Sequence, residues 1–294
     1  MIIKSHWKMM MAISFAFIIF CFWCFLYPHA VVGQERLFVW DAEFWQEYGL
    51  YQYIRDFFLQ FFHFAWLGAL LLALVCLMAQ GLTWWLLSHI KRCSWKNCLY
   101  IVSFVPALCV WYMSYIKLDV NNEELEYDLM QRKGQWEQII QKSDHRFPQS
   151  LACQYVARMA KHQTGRIGDG DMFSDLALSN NAMSSMTSAY MMSDVYMYAG
   201  LVNLAQRASF EAMASIEDFS MSGRALQRLT ETALITGQYR VARKYISILD
   251  KTVYYHDFAK RMKVMADHPS LIDNHPIYGS LRKAYDHTKD VLFD

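Results

Sequence analysis

Few side chains in this sequence fall at spacings that could support chemistry. Cys21 and Cys24 have the separation of a redox pair, but they lie inside an apolar run without a neighbouring βαβ pattern, so we interpret them as packing or lipid-facing residues. The acidic loop 165–171 lacks the spacing and the distant glutamate of a calcium site and is interpreted as a plain turn. His268 and His275 share a proline-containing loop with no third ligand at metal spacing. Because no nucleotide-binding, zinc-protease or nucleophile-elbow motif occurs either, we predict no catalytic residues, no cofactor and no metal site, and favour a non-enzymatic role.

Two stripes of polar side chains recur at helical spacing and are the candidate partner-binding residues. They are Asn203, Arg207 and Glu211 in the first stripe and Arg224, Arg228 and Glu231 in the second. If the stripes face each other, they could line a peptide-binding groove. They could also form an internal ion-pair network that holds neighbouring helices in register. We favour the structural interpretation and keep all six residues as candidates.

The second stripe lies on the first half of a predicted helical hairpin, residues 223–250. Apolar and small residues recur at i, i+3, i+4 and i+7 on both sides of Gly237, and glycine readily ends a helix because it tolerates positive φ. This pattern of Gly, Tyr and Ala is typical of a tetratricopeptide-like array. Residues 121–142 repeat it with a turn at Gly134, and residues 196–216 are either a further pair or one long helix. We therefore predict that residues 121–294 form a soluble helical-repeat domain.

Residues 1–120 hold nearly all of the long apolar runs and are predicted to be a membrane domain. The predicted spans are residues 9–27, 61–87 and 98–116, each long enough to cross a hydrocarbon core. A signal peptide is the rival interpretation of the first run, but the run is long for one and lacks the small residue that cleavage prefers. Pro106 is expected to kink the third span. The predicted fold class is all-α, with three transmembrane helices followed by a tetratricopeptide-like hairpin array.

Residues 28–60 form a strongly aromatic segment between the first two spans. Aromatic side chains are favoured at membrane–water boundaries, so one interpretation is an interfacial helix capped by Asp41. The other interpretation is a loop folded over the membrane domain. His63, near the start of the second span, is interpreted as structural rather than as part of a proton relay.

Charge and cysteine content bear on location more than on activity. The net charge of +1 gives no reason to expect a nucleic-acid partner, and Cys153 is the one cysteine beyond the apolar region, so residues 121–294 can form no internal disulfide. Cations flank the spans mainly at the N-terminus and after the second span, so the positive-inside rule predicts a cytoplasmic N-terminus. The prediction is a multi-pass protein in contact with the lipid bilayer of the bacterial cytoplasmic (inner) membrane, with an extracytoplasmic C-terminal domain.

Five stretches carry a resemblance to a known group of proteins. They are residues 48–74, 125–140, 165–173, 198–213 and 225–259. The most specific segments are Gly-Leu-Val-Asn-x-Ala-Gln-Arg at 200–207 and Thr-Gly-Gln-Tyr at 236–239. Together they resemble an uncharacterised family, a domain of unknown function, of bacterial multi-pass membrane proteins with tetratricopeptide-like C-terminal regions. The resemblance implies no active residues. Related proteins tend to have more spans before the Leu125 region and to run beyond Phe293, which predicts a shortened member.

Three functional hypotheses follow. The leading one is a membrane-anchored, non-enzymatic scaffold that docks a protein of the cell envelope, because stacked hairpins present extended surfaces. The second is a subunit of an envelope enzyme or transporter in which residues 31–60 and the spans handle a lipid-linked substrate. The third is an inactive, truncated paralogue.

Overall fold

A computed structural model describes residues 3–46, 49–89, 96–176, 181–216 and 221–288. The helices are, in chain order, α1 (Ile3–Cys21), α2 (Pro28–Val32), α3 (Gly49–Leu59), α4 (Ala65–Ser88), α5 (Lys96–Val102), α6 (Val105–Lys117), α7 (Glu123–Arg132), α8 (Trp136–His145), α9 (Leu151–Gln163), α10 (Asp169–Phe173), α11 (Met186–Tyr198), α12 (Val202–Ala214), α13 (Gly223–Ile235), α14 (Tyr239–Leu249), α15 (His256–Asp267), α16 (Ser270–Asp273) and α17 (Tyr278–Thr288). Across these described ranges there is no β-strand. The predicted all-α class is confirmed, with three candidate membrane-spanning helices followed by further helices.

The chain divides into two units according to its internal contacts. The first unit is Met1–Glu35 with Phe58–Asn122, and the second is Arg36–Phe57 with Glu123–Asp294. The aromatic segment 36–57 therefore groups with the later helices. The predicted domain boundary after residue 120 remains a prediction.

Three stretches of the first unit are long and apolar enough to span a membrane: His6–Leu26, Ala65–Ser88 and Asn97–Lys117. The first ends in a π-helical segment, Phe22–Leu26. The second begins later than predicted because residues 60–63 form a 3₁₀ turn instead. The third is interrupted between α5 and α6, where Pro106 occupies the first turn of α6 and needs no backbone N–H partner. The expected kink is thus a break between two helices.

The helices of the first unit meet through small side chains. In this unit α4 packs against both α1 and α6, and Ala69, Ala73 and Ala107 are buried in the shared core. Small residues let helices approach closely without a large apolar driving force between them. One polar pair is buried with them, since Gln80 Nε2 donates to Ser103 Oγ at 2.9 Å beside the break in the third span. This bond satisfies both groups away from water.

Four helices of the second unit, α7, α9, α11 and α13, end in the same glycine turn. The glycines are Gly134, Gly165, Gly200 and Gly237, with φ of 63°, 71°, 80° and 78°. In each turn the residue after the glycine donates its N–H to the carbonyl five residues earlier, as in Gln135 to Met130 at 2.9 Å and Gln238 to Ala233 at 2.7 Å. This is the Schellman cap, which requires the left-handed conformation that glycine adopts without strain. Residues 196–216 are therefore two helices.

Each glycine turn opens a helical hairpin, so the second unit is built of successive pairs. The pairs are α7–α8, α9–α10, α11–α12 and α13–α14. Their glycines lie 31, 35 and 37 residues apart along the chain, near the 34-residue period of tetratricopeptide repeats. Likeness to those repeats remains a prediction. The pair α9–α10 is abbreviated, because α10 has 5 residues.

Segment 36–57 packs against α13–α15 and their connections. Leu37 N donates to Met221 O at 3.0 Å, and Trp40 N donates to Lys251 O at 2.8 Å. Leu37 and Val39 are buried in the same apolar cluster as Leu226, Leu249 and Phe258. Asp41 does not cap a helix as one interpretation expected. It accepts from Glu43 N at 3.1 Å and pairs with Lys251 Nζ at 2.5 Å, while α3 begins at Gly49.

The C-terminal helices depart slightly from expectation. The sequence predicts a loop at residues 268–279 and a last helix from Leu281 to Phe293, whereas the structure has the single-turn helix α16 within that loop and begins α17 at Tyr278. Arg282 in α17 donates to Ile235 O at 3.0 Å and to Leu234 O at 2.5 Å. A guanidinium at this position satisfies the terminal carbonyls of α13. The predicted end of this helix, at Phe293, lies outside the described residues.

Candidate functional site

The second polar stripe forms a continuous chain of ion pairs. Arg224 and Arg228 lie one turn apart on α13, so both reach the same side of the helix. Arg224 donates to Asp128 Oδ1 and to Asp194 Oδ2, each at 2.6 Å. Arg228 donates to Asp194 Oδ1 and to Glu231 Oε2, each at 2.7 Å. Asp194 is therefore shared by two guanidinium groups. Each of the five charged side chains in this network has a partner of opposite charge.

Aromatic groups extend this network to a further helix. Tyr278 in α17 donates its hydroxyl to Glu231 Oε1 at 3.1 Å. The Arg224 guanidinium lies 4.9 Å from the centre of the Tyr190 ring in α11, a cation–π distance. The network therefore connects α7, α11, α13 and α17. Ion pairs of this kind favour one register of the helices over others, and a partner-binding role for this stripe remains a prediction.

The electrostatics of the network keep its groups in fixed charge states. Burial by itself would raise the pKa of Asp194, but Arg224 and Arg228 outweigh burial and hold that pKa below its usual value. Burial would likewise lower the pKa of Arg224, yet Asp128 and Asp194 raise it above its usual range. Burial and the neighbouring Glu231 raise the pKa of Tyr278. None of these shifts brings a group toward neutral pH, where a general acid or base works best.

Two acidic partners in this network were missed by sequence reasoning. Asp194 is the single charged residue of α11, whose sequence is otherwise apolar or small. Asp128 lies on the inner side of α7, beside buried Leu125 and Tyr127. A charge on an apolar helix face needs a partner, because an unpaired buried charge is strongly unfavourable. That signal was present in the sequence, but the identity of the partner depends on the tertiary fold.

The first polar stripe faces outward on α12. Arg207 Nε pairs with Glu211 Oε1 at 2.8 Å within the helix, and their side chains are 53 % and 37 % exposed. Phe210, three residues after Arg207 and on the same side of the helix, is 46 % exposed. Asn203 is half-buried at the start of the stripe. No ion pair joins the two stripes in the part of the chain that the structure describes, and a groove between them remains a prediction.

A third polar cluster connects the Gly165 turn to α11. His162 Nδ1 lies 2.5 Å from the Tyr198 hydroxyl, and His162 Nε2 lies 2.8 Å from Asp169 Oδ1. The arrangement resembles a relay, but burial and Asp169 raise the pKa of Tyr198. A raised pKa keeps the phenol protonated at neutral pH, and a protonated phenol is a poor nucleophile. We therefore interpret the cluster as a structural contact that joins α9, α10 and α11.

Segment 36–57 also lines an open cavity of about 590 Å³. It is lined by Val39, Trp40, Asp41, Ala42, Trp45, Gln46, Gly49, Leu50 and Tyr53. Its volume and its mostly apolar wall with few polar groups are typical of small-molecule sites. Asp41 remains ionised there, because its bonds to Lys251 and to the Glu43 N–H lower its pKa. Among the described residues, no group of three or more His, Cys, Asp or Glu side chains could hold a metal ion.

Comparison with known proteins identifies a family for this chain. The model of a family of unknown function, DUF6057, matches residues 5–118 and 115–294. No curated protein and no solved structure matches the chain. The expected resemblance to a family of unknown function is thereby confirmed. The family match does not bear on tetratricopeptide likeness or on the number of membrane crossings.

Proposed function

Because this chain belongs to DUF6057, a family of unknown function, we propose a function from its structure alone. We propose that it is a membrane-anchored scaffold that docks a protein partner on the outer face of α12. The observation that carries this proposal is the exposure of Phe210 beside the ion pair of Arg207 and Glu211. Aromatic and arginine side chains are the commonest anchors of protein interfaces. Asn203, one turn before Arg207, extends the same face.

The rigidity of α12 supports this choice of surface. Its inner face buries Ala205, Ala208 and Ala212, and it packs between α11 and α13. Ser209 Oγ lies 2.8 Å from Ser193 Oγ in α11, which adds a buried polar contact. A helix held in this way loses little conformational freedom when a partner binds to its outer face.

Site-specific photocrosslinking in cells tests the docking surface. With p-benzoylphenylalanine in place of Phe210 in the full chain, we expect capture of a distinct protein partner. Adding Arg207→Glu should remove that product, because it reverses a charge beside the anchor. Arg240→Glu, an exposed arginine on α14, is the matched control and should leave the product unchanged. The proposal fails if no protein is captured at position 210, or if Arg207→Glu and Arg240→Glu behave alike.

The proposed location is the bacterial cytoplasmic membrane, with the N-terminus in the cytoplasm and residues 121–294 outside. Lys4, Lys8 and the cations within residues 91–96 support this orientation through the positive-inside rule. A reporter that is active only outside the cytoplasm, fused after Asp294, should be active. A fluorescent protein that matures only in the cytoplasm should stay dark at the same position. The reverse result would place the docking surface and its partner in the cytoplasm.

A second candidate function is a subunit of an envelope enzyme or transporter that handles a lipid-linked substrate. The aromatic cavity in segment 36–57 favours it, because Trp40 and Leu50 lie at an exposed edge of the cavity. Trp40→Ala and Phe210→Ala in the full chain separate the two proposals. If Trp40→Ala alone abolishes the cellular phenotype that depends on this protein, substrate handling is supported. If Phe210→Ala alone abolishes that phenotype, docking is supported.

A further inference from the structure

Helix α3 has its apolar side chains on the outside. Leu50 is 74 % exposed, Tyr51 79 % and Ile54 47 %, and at these spacings the three share one face. On the opposite face Asp56 is fully buried, and its Oδ1 accepts a bond from Arg55 Nε at 2.9 Å. An amphipathic helix on a water-soluble surface shows the reverse pattern.

The inverted orientation is held by packing on the inner side. The rings of Tyr53 and Phe57 lie 5.1 Å and 5.4 Å from the Phe38 ring. Phe38 is buried and stacks on Trp45, whose Nε1 donates to Val39 O at 2.7 Å. These aromatic contacts orient α3, so its apolar residues face outward as a consequence of specific packing.

Chain length keeps α3 close to the membrane. The helix ends at Leu59, and the candidate span begins at Ala65. The intervening residues can extend over at most about 20 Å, since each residue spans up to about 3.6 Å. The preceding span ends at Leu26, so the segment that carries α3 is tethered at both ends. Tyrosine and aliphatic side chains are favoured at the boundary between headgroups and acyl chains.

We propose that the outer face of α3 is a membrane-contact surface, which inserts Leu50, Tyr51 and Ile54 into the boundary between lipid headgroups and acyl chains. The Arg55 guanidinium lies 6.0 Å from the centre of the Tyr51 ring but pairs with buried Asp56, so we expect the contact to depend on apolar burial rather than on anionic lipid. The surface is separate from the proposed docking face on α12, and either can exist without the other.

Lipid photolabelling of the full chain tests this surface. The protein is reconstituted into vesicles of phosphatidylcholine whose acyl chains are radiolabelled, with p-benzoylphenylalanine in place of Tyr51. We expect lipid label on this variant at several times the level found with the same group in place of Phe147. Phe147, which is 74 % exposed before α9, is the matched control because its exposure is nearly equal. Exchange of half the lipid for phosphatidylglycerol should leave the labelling unchanged.

Three results would overturn the proposal. The first is lipid labelling at position 51 no higher than at position 147. The second is labelling that requires phosphatidylglycerol, which would indicate an electrostatic contact. The third is capture of a protein instead of lipid when the same variant is crosslinked in cells. If the variant at position 51 does not fold, the same group in place of Ile54 provides the measurement, with gel filtration as the folding check.

Discussion

Asp194 illustrates how one carboxylate can determine the packing of several helices. It accepts from Arg224 and Arg228 at the same time, and both guanidinium groups hold a second carboxylate as well. Removing Asp194 would leave two partly buried cations with incomplete pairing. The remaining partners, Asp128 and Glu231, contact only one arginine each. The residue therefore matters more than a single surface ion pair.

We expect Asp194→Asn to lower the free energy of unfolding by roughly 2 to 3 kcal/mol, because breaking a partly buried charge network leaves uncompensated cations. Asp144→Asn is the control, since Asp144 pairs with Lys161 at 2.7 Å in an exposed position and exposed pairs contribute less than about 1 kcal/mol. Thermal and denaturant unfolding of the detergent-solubilised full chain measures both. Equal effects of the two substitutions would show that the network is no more important than a surface pair.

The pH dependence of stability follows from the same residue. The folded-state pKa of Asp194 lies below its usual value, so the unfolded chain takes up the proton first as the pH falls. Its stabilisation is therefore complete above about pH 4, the usual range of an aspartate, and is lost as the pH drops further. The pKa of Tyr278 is raised, so its stabilisation declines as the pH rises above about 10. In Asp194→Asn the acid-side slope of unfolding free energy against pH should be shallower than in the unchanged chain.

At the scale of helices, three glycines allow backbone and packing effects to be separated. Gly237 has φ of 78° with open space around it, so Gly237→Ala should cost about 1 to 2 kcal/mol from conformation alone. At Gly223 a Cβ would lie 2.0 Å from Tyr255 Cε2, so Gly223→Ala should cost about 1 to 3 kcal/mol through overpacking. Gly170→Ala is the control, because no neighbour lies within 4 Å and φ is not positive there. Unfolding midpoints that rank Gly170→Ala below either of the others would contradict these assignments.

The helices that could be predicted from sequence are those with complete local signals. The turns at Gly134 and Gly237 combine a glycine with polar neighbours between two periodic runs, and both were predicted. The turn at Gly200 stayed ambiguous because Leu201 and Val202 continue the apolar pattern across it. Beside the break in the third span, Ser103 accepts a bond from Gln80 of α4, a contact that the local sequence does not reveal. The pairing of Asp128 was not predicted for the same reason, because its partner Arg224 is 96 residues away.

For the molecule as a whole, the second unit depends on a segment from early in the chain. Segment 36–57 contributes Leu37 and Val39 to the cluster that contains Leu226 and Leu249. A fragment of residues 121–294 lacks this segment and would expose part of that cluster to water. We expect such a fragment to unfold at lower temperature and to aggregate more than the same fragment with residues 36–57 fused to its N-terminus by a flexible linker. Calorimetry and gel filtration compare the two, and equal behaviour would show that the segment is dispensable.

The backbone bond from Leu37 to Met221 has a consequence for how often the chain crosses the bilayer. Two residues that share a hydrogen bond lie on one side of a membrane, so we expect the chain between them to cross it an even number of times. The candidate spans Ala65–Ser88 and Asn97–Lys117 satisfy this parity, and losing either alone would violate it. A membrane-impermeant thiol reagent should therefore label Asp41→Cys and Phe147→Cys from the same side of sealed vesicles. We therefore expect the second and third candidate spans to cross the membrane together or not at all, whichever way the N-terminus points.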